Sequence, residues 1–505
     1  MINLHNTVRP TNYLFNTLCR MLLLFPHLLF SAELIAHFVS EGRITVADHV
    51  LSQEELNKLR LVYQRHCVLR YVDDLKAFFP RIKVVYASKP FDMIPHGTKA
   101  FDPEDHSIKA NFKKLGINVT WLDSPSFLTS SELLEEHAER VKGKRLQHKP
   151  FYEFVKERVL SKEIPGMNLP DSQDADNRKP LPKNFEVPGM PWGAGAGAGE
   201  GARKPDPAKL ASLLKCAEWV EEHYPNNPGP RDLKKAVTEY LVHIPSNHEE
   251  AQAWWKQFLK ERFASFGPYE DAIVRDEPVL FHSYCSMLLN NGLLTPLQVL
   301  KDLTLHYNTL PAAQQKAQLS SYEGFVRQVA GWREFSRLYY RTVPSKVYLK
   351  NALGHTGRLG AVWYKPGEAS KTGLPPIVQD AVNDAWERGY LHHIQRLMVV
   401  SNYMNLCGIH PKQVYKWMYE FALDSWEWVM VFNVYGMGTW SDGGHAMRKP
   451  YISSPAYLLR MSNYPRGPWV DEWKKKYDAF LVKHREVLSH TPLARLASAQ
   501  QLTKK

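Results

Sequence analysis

Four groups of side chains in the C-terminal half, and a set of tryptophans beside them, have types and spacings that chemistry can use. Ser283, Ser286 and Asn290 recur at intervals of three and four, so on a helix they share one face. Two hydroxyls and a carboxamide there can hydrogen-bond a phosphate, although from spacing alone a satisfied polar face capping a helix explains them better. Arg327, Trp332 and Arg333 follow in FVRQVAGWREF, 325–335. A guanidinium fork offers parallel donors to a phosphate or carboxylate, and Arg333 and Glu334 can equally pair with neighbouring helices. His392 and His393 are adjacent and so point in different directions on a helix, one toward a cleft and one into packing. An imidazole titrating near 6.5 suits proton transfer, while a buried histidine bonded to backbone competes for either position. Asn433, Gly436, Met437, Asp442, Gly443 and Gly444 come after Trp426-Glu427-Trp428. Glycines there let backbone approach a ligand closely, or simply close two loops of a helical bundle. Trp417, Trp426, Trp428 and Trp440 offer an electron-hopping path or ordinary packing, and packing is expected for at least two of them.

The elements that must position these groups change character along the chain. Residues 21–125 alternate short β-branched runs, Met21–Phe25, Arg43–Ala47, Ile82–Ala87 and Ile117–Leu122, with helical patterns at Glu54–Phe78 and Asp105–Leu115. Strands alternating with helices predict a parallel sheet with crossovers, a shortened Rossmann-like α/β domain. No G-x-G-x-x-G follows a strand, so dinucleotide binding there has no support. Residues 126–206 read as a basic and Gly/Pro-rich connector unable to build a core; it contains KGKRLQHK at 142–149, Phe151-Tyr152, and GAGAGAGEG at 193–201. From 207 to 505 apolar positions recur at helical spacing, with Pro268, Pro296, Pro344 and Pro411 as punctuation. The fold class expected is an α/β domain followed by an all-α domain.

A chain of 505 residues implies two or three domains, and 44% hydrophobic content excludes global disorder. The 64 basic against 52 acidic residues give a net charge of +12, which favours polyanionic partners, or marks a basic organellar protein with no specific ligand. Cys19, Cys67, Cys216, Cys285 and Cys407 are scattered, with no C-x-x-C, which argues against a disulfide framework, a zinc site or a cysteine-held cluster. Residues 1–20 carry Arg9 and Arg20 and no acid, the pattern of a mitochondrial leader. The apolar run 21–30, broken by Pro26 and His27, is too short to span a membrane and reads equally as a first buried strand.

Taken in order, the motifs resemble a known family. DADNRKPL (174–181), FGPYEDAI (266–273), FHSYCSMLLNNGLLTP (281–296), FVRQVAGWREF (325–335) and the stretch 389–461 are similar to the photolyase- and cryptochrome-related proteins, specifically the bacterial-type class that carries an iron–sulfur cluster (deoxyribodipyrimidine photolyase-related). The resemblance covers roughly 117–495. It implies a helical FAD cradle in which Ser283, Ser286 and Asn290 hold flavin phosphates, and Trp332 and Arg333 lie near the flavin. Asn433, Gly436, Met437, Asp442 and Gly443 would border its ring, and His392 or His393 would donate a proton to a DNA lesion. Met287 stands where the family has proline. The family's C-x-x-C positions are Pro465 and Pro468 here, so the iron–sulfur cluster is expected to be absent. Phe25-Pro26-His27 replaces the family's Gly-Asp-Gln-Leu turn, so no antenna chromophore is expected either. The activity implied is light-driven electron transfer from FAD to pyrimidine lesions in damaged DNA, a carbon–carbon lyase reaction if flavin and activity are retained. A light sensor without repair uses the same motifs. The alternative is a non-catalytic scaffold that binds RNA or an organellar ribonucleoprotein, such as a mitochondrial ribosome, during assembly; the basic run at 142–149 with Phe151 and Tyr152 is its motivation.

Overall fold

A computed structural model describes residues 19–49, 55–88, 94–95, 97–170, 178–191, 205–343, 345–367 and 369–499. Most of the leader (1–20), Asp174–Asn177 of DADNRKPL and the run 193–201 lie outside the described residues. Cys19 and Arg20, assigned above to the leader, belong to the first strand.

Five strands, β1 (Cys19–Leu24), β2 (Val39–Ala47), β3 (Lys83–Ala87), β4 (Lys99–Phe101) and β5 (Thr120–Leu122), form one sheet. Every pairing is parallel, in the order β3-β2-β1-β4-β5. That is the doubly wound Rossmann-like order, with its switch point between β1 and β4. β1 is a continuous apolar run whose Leu22, Leu23 and Leu24 are buried, as a central strand covered on both faces requires. Helix Lys58–Phe78 crosses one face, its start capped by the Asn57 side chain. Helix His106–Lys114 follows β4 and buries Ile108 and Phe112. Among the described residues no strand follows Leu122 and no helix is long and apolar enough to cross a membrane.

The connector reading needs correction. Helices at Ser131–Arg140 and His148–Val155, with a π-helical turn at Lys156–Leu160, fold this stretch onto the helical body. Phe151, Phe154, Val155, Val159 and Leu160 enter the main core, so the segment does help build one. Charge density hid this: Lys and Arg interleave with an apolar stripe that only the helix brings onto one face.

The crevice beyond β1 and β4 is filled by the chain itself. His27 stacks on Trp426 at 3.9 Å. Asp105 accepts the backbone N–H groups of Glu427 and Trp428 at 3.1 and 2.9 Å, while Glu427 accepts from the Ser107 N–H at 3.2 Å and from its hydroxyl. Each carboxylate thus serves the first turn of the other's helix, locking the sheet domain to the segment that carries Trp428. Beside this exchange, Arg337 and Arg341 grip Glu104.

Candidate functional site

A cavity of about 590 Å³ opens inside the helical domain. Three π-helical turns converge on it: Arg327–Arg333, Gln395–Ser401 and Phe432–Gly438. Such turns are rare and concentrate at functional sites, because the extra residue per turn widens the helix and re-aims its side chains. Two of them meet at Gly438, where a Cβ would sit 2.3 Å from the Ser401 hydroxyl. A fourth wall is the loop before helix Ser286–Asn290. Asp276, Leu280 and Tyr284 there hold φ of +67°, +47° and +56°, a costly set of left-handed conformations for side-chain-bearing residues. The loop is pinned from outside by Phe185, whose ring packs against Tyr269 and Phe281 at 5.0 and 5.4 Å.

Ser283, Ser286, Asn290, Trp332 and Arg333 line the cavity, and so do Asn433, Met437 and His393. Asn290 donates to the Asp424 carbonyl at 2.8 Å, and Asn433 ties its amide nitrogen to the Val429 carbonyl at 2.7 Å. Arg333 donates to the carbonyls of Ser126 and Leu289 and lies 4.7 Å from the Trp428 ring centre. His148 stacks on Trp332 at 3.7 Å, and Gly331 leaves room for it.

The other expected residues sit elsewhere. Gly436 is a packing glycine: a Cβ would press on the rings of Phe432 and Tyr339 at 2.9 and 3.2 Å. Asp442 turns away from the cavity, accepting from the Tyr339 hydroxyl at 3.0 Å and the Gly444 N–H at 2.9 Å. Gly443 lines a separate hollow. The loop carrying both residues folds back on itself at Trp440, whose φ is +51°; sequence spacing does not reveal that reversal. His392 is buried behind the wall, stacked on His282 at 4.5 Å. Trp417 packs edge-on against Trp363 and Trp386, and Trp428 alone of the four tryptophans lines the cavity.

Several lining residues escape sequence reasoning. Arg396 and Asp424 form a bidentate pair, 3.0 Å at both contacts, between a π-helical turn and the turn that follows helix Pro411–Phe421. His282 lies inside FHSY, beside the serines that draw attention there. Ser401 looks like any helix serine until its surroundings are known.

Electrostatically the wall carries Arg178, Arg327, Arg333, Arg396, Lys449 and Arg460 against Glu270, Asp271 and Asp424, an excess suited to an anionic ligand. Phe266, Phe325, Val329, Leu397, Met418 and Met430 supply an apolar interior. Ser401 Oγ and Arg333 Nε, on lining residues but closed off from open space, have no hydrogen-bond partner among the described residues. A flavin, with a flat aromatic ring and a pyrophosphate, fits this donor set and a volume in the cofactor range. Among the described residues no group of three or more His, Cys, Asp or Glu side chains could hold a metal ion.

Burial, reinforced by neighbouring positive charge, lowers His282 and His393 to about 4 and His148 to about 3. Their folded values lie below the ordinary 6.5. The stability they contribute is therefore complete above pH 6.5 and is lost as pH falls through those lowered values. The denaturant midpoint should decline steadily from pH 6.5 to 4, and His148→Gln should flatten that decline. Identical slopes for the two proteins in urea titrations followed by circular dichroism would remove His148 from the explanation.

The chain is similar to several known proteins. A family model described as deoxyribodipyrimidine photo-lyase-related protein matches residues 95–232. A (6-4) photolyase of Agrobacterium fabrum is 32% identical over 293 residues, 58% of this chain and 51% of the relative. The sequence match thus spans about half of the relative's length. The crystal structure of a bacterial class III photolyase from Agrobacterium tumefaciens superposes with a TM-score of 0.51 at 13% identity, over 96% of this chain and 91% of the other. A Synechocystis cryptochrome superposes equally, TM-score 0.51 at 12% identity, over 94% and 89%. At these identities the two structures speak for the fold alone.

Proposed function

Since the chain is a photolyase-related protein, we propose that its cavity binds FAD and that it acts on pyrimidine lesions in DNA by light-driven electron transfer. One observation carries the reading: expected flavin contacts from three separate segments, Ser283, Ser286 and Asn290, then Trp332-Arg333, then Asn433 and Met437, line one cavity together with His393, the expected proton donor. When bound, the flavin supplies the photoexcitable electron donor.

The rest of the chemistry falls to the chain's own residues. Ser283, Ser286 and Arg333 offer donors to the pyrophosphate. Asn433 presents a carboxamide oxygen that has no partner among the described residues and can accept from the ring edge. Arg178, Lys449 and Arg460 at the same cavity draw in a polyanion, so binding should weaken steeply with salt. A lesion reaches the cavity only by leaving the duplex stack. His393, open to the cavity, moves the proton at its imidazole; lowered to about 4 it is a weak base, and it donates only after the site has charged it. His392, sealed behind His282, is a weaker candidate for contact with the lesion.

The reading includes neither cluster nor antenna. It rests for the first on Pro468 opening helix Pro468–Lys483 while Trp469 bonds the Pro465 carbonyl at 3.1 Å. For the second it rests on His27, in the segment after β1, stacking on Trp426. Nothing favours the ribonucleoprotein alternative: Phe151 and Tyr152, its aromatic motivation, are buried. The test is the purified protein's spectrum followed by blue-light treatment of UV-damaged duplex DNA. A flavin band at about 450 nm and light-dependent loss of lesions, abolished in His393→Asn with flavin retained, are expected. A colourless preparation that takes up no added FAD rejects the reading. Flavin without lesion loss leaves the light sensor.

A further inference from the structure

A second hollow, of about 630 Å³, adjoins the cavity. The chain leaves the cavity wall at Met437, lines the hollow with Trp440, Gly443, Gly444 and Arg448, and returns to the cavity at Lys449. It repeats the alternation at Pro492, in the hollow, and Leu493, in the cavity. The two spaces are therefore lined by neighbouring stretches of the chain.

The fourth side is Arg145, from the basic run at 142–149 that the cavity does not use. Arg145 is held in place, because the next residue, Leu146, donates its N–H to the His445 carbonyl at 3.1 Å. Among the described residues neither Arg145 nor Arg448 has an ion-pair or hydrogen-bond partner. The loop opposite is over-determined. Trp440 holds a φ of +51° and donates its indole N–H to the Met447 carbonyl at 2.9 Å. Gly444, at φ +90°, lies where a Cβ would come within 2.9 Å of that ring. Strain maintained in this way marks a surface shaped for contact.

We infer that this hollow binds a phosphate group, with Arg145 and Arg448 as its donors. Two guanidinium groups without a protein partner among the described residues line one space, and a guanidinium fork suits phosphate oxygens. Glu486 at the same hollow offsets part of the charge. The phosphate has two chemical sources. One is a free nucleotide. The other is a nucleic-acid backbone running past the cavity mouth.

The full-length protein and Arg145→Gln/Arg448→Gln are titrated with inorganic pyrophosphate, with AMP and with a short DNA duplex. The double variant should bind at least about tenfold more weakly, as expected when charge-assisted bonds are lost. Loss for all three probes identifies a free-phosphate site. Loss for the duplex alone, with a salt slope reduced by about two, identifies the backbone. Equal affinities of the two proteins for every probe overturn the inference. Flavin content, unchanged in the variant, keeps this result separate from the fate of the cavity.

Discussion

Arg337→Met should destabilise the protein by about 3 kcal/mol or more, the lower part of the range for breaking a buried ion pair. The Arg337 side chain is fully buried and Glu104 is 1% exposed. Arg337 Nε donates to Glu104 at 2.7 Å, and its Nη1 donates to the Thr129 carbonyl, with the Phe127 ring 4.2 Å away. Removing the guanidinium leaves a carboxylate in the interface between the sheet domain and the helical domain. Arg341 stays on Glu104 at 2.6 Å, which is why the expected loss lies toward the lower limit. Urea unfolding followed by circular dichroism measures it, and a loss under about 1 kcal/mol would refute the assignment, being the scale of an exposed pair.

The same cluster has a pH signature. Burial by itself raises the Glu104 carboxyl, but Arg337 and Arg341 outweigh it and bring the group down to about 2. A depressed folded value means stability that is complete above the ordinary carboxylate range and is lost as pH falls through about 2. In Arg337→Met that loss begins at higher pH, because one of the two opposing cations is gone. Glu104→Leu combined with Arg337→Met should recover most of the stability, since the cost comes from an uncompensated charge rather than from a missing bond.

How far this architecture could be read from sequence depended on the range of the forces involved. β2, β3, β5 and the two sheet-domain helices were legible because β-branched runs and helical spacing are local signals. β4 is three residues, Lys99–Phe101, too short to show a pattern, although its pairing with β1 and β5 completes the sheet. The helix at His148–Val155 was hidden by the basic run that leads into it. Ser283, Trp332, Arg333 and Asn433 were legible as cavity residues through family resemblance. Asp442 was misplaced, because the reversal at Trp440 depends on a strained backbone and on Gly444 lying against an indole ring. The Arg396–Asp424 pair joins a π-helical turn to a separate loop, and the unpartnered Ser401 Oγ lies where two π-helical turns meet at Gly438. No local window contains that information.

The cavity itself gives the second large effect. Ser286→Trp should reduce flavin affinity at least about 100-fold, equivalent to roughly 2.7 kcal/mol. Ser286 lines the cavity from the first position of its helix and is partly exposed there, so an indole replaces open volume rather than packed core. Relief by backbone movement is blocked: Leu280 and Tyr284 already sit in left-handed conformations, and Leu288 behind the wall is fully buried. An indole forced into a space that Trp332 and Met437 also line therefore excludes a flat aromatic ring, because close-packed walls do not retreat without disturbing their neighbours. Ser286→Ala separates this steric effect from the loss of one phosphate donor and should weaken binding only severalfold, as for a single hydrogen bond. Flavin content after purification and FAD titration of the stripped protein measure both, with the thermal midpoint as a check on folding. If Ser286→Trp keeps full flavin occupancy with an unchanged midpoint, the flavin lies somewhere other than between these helices.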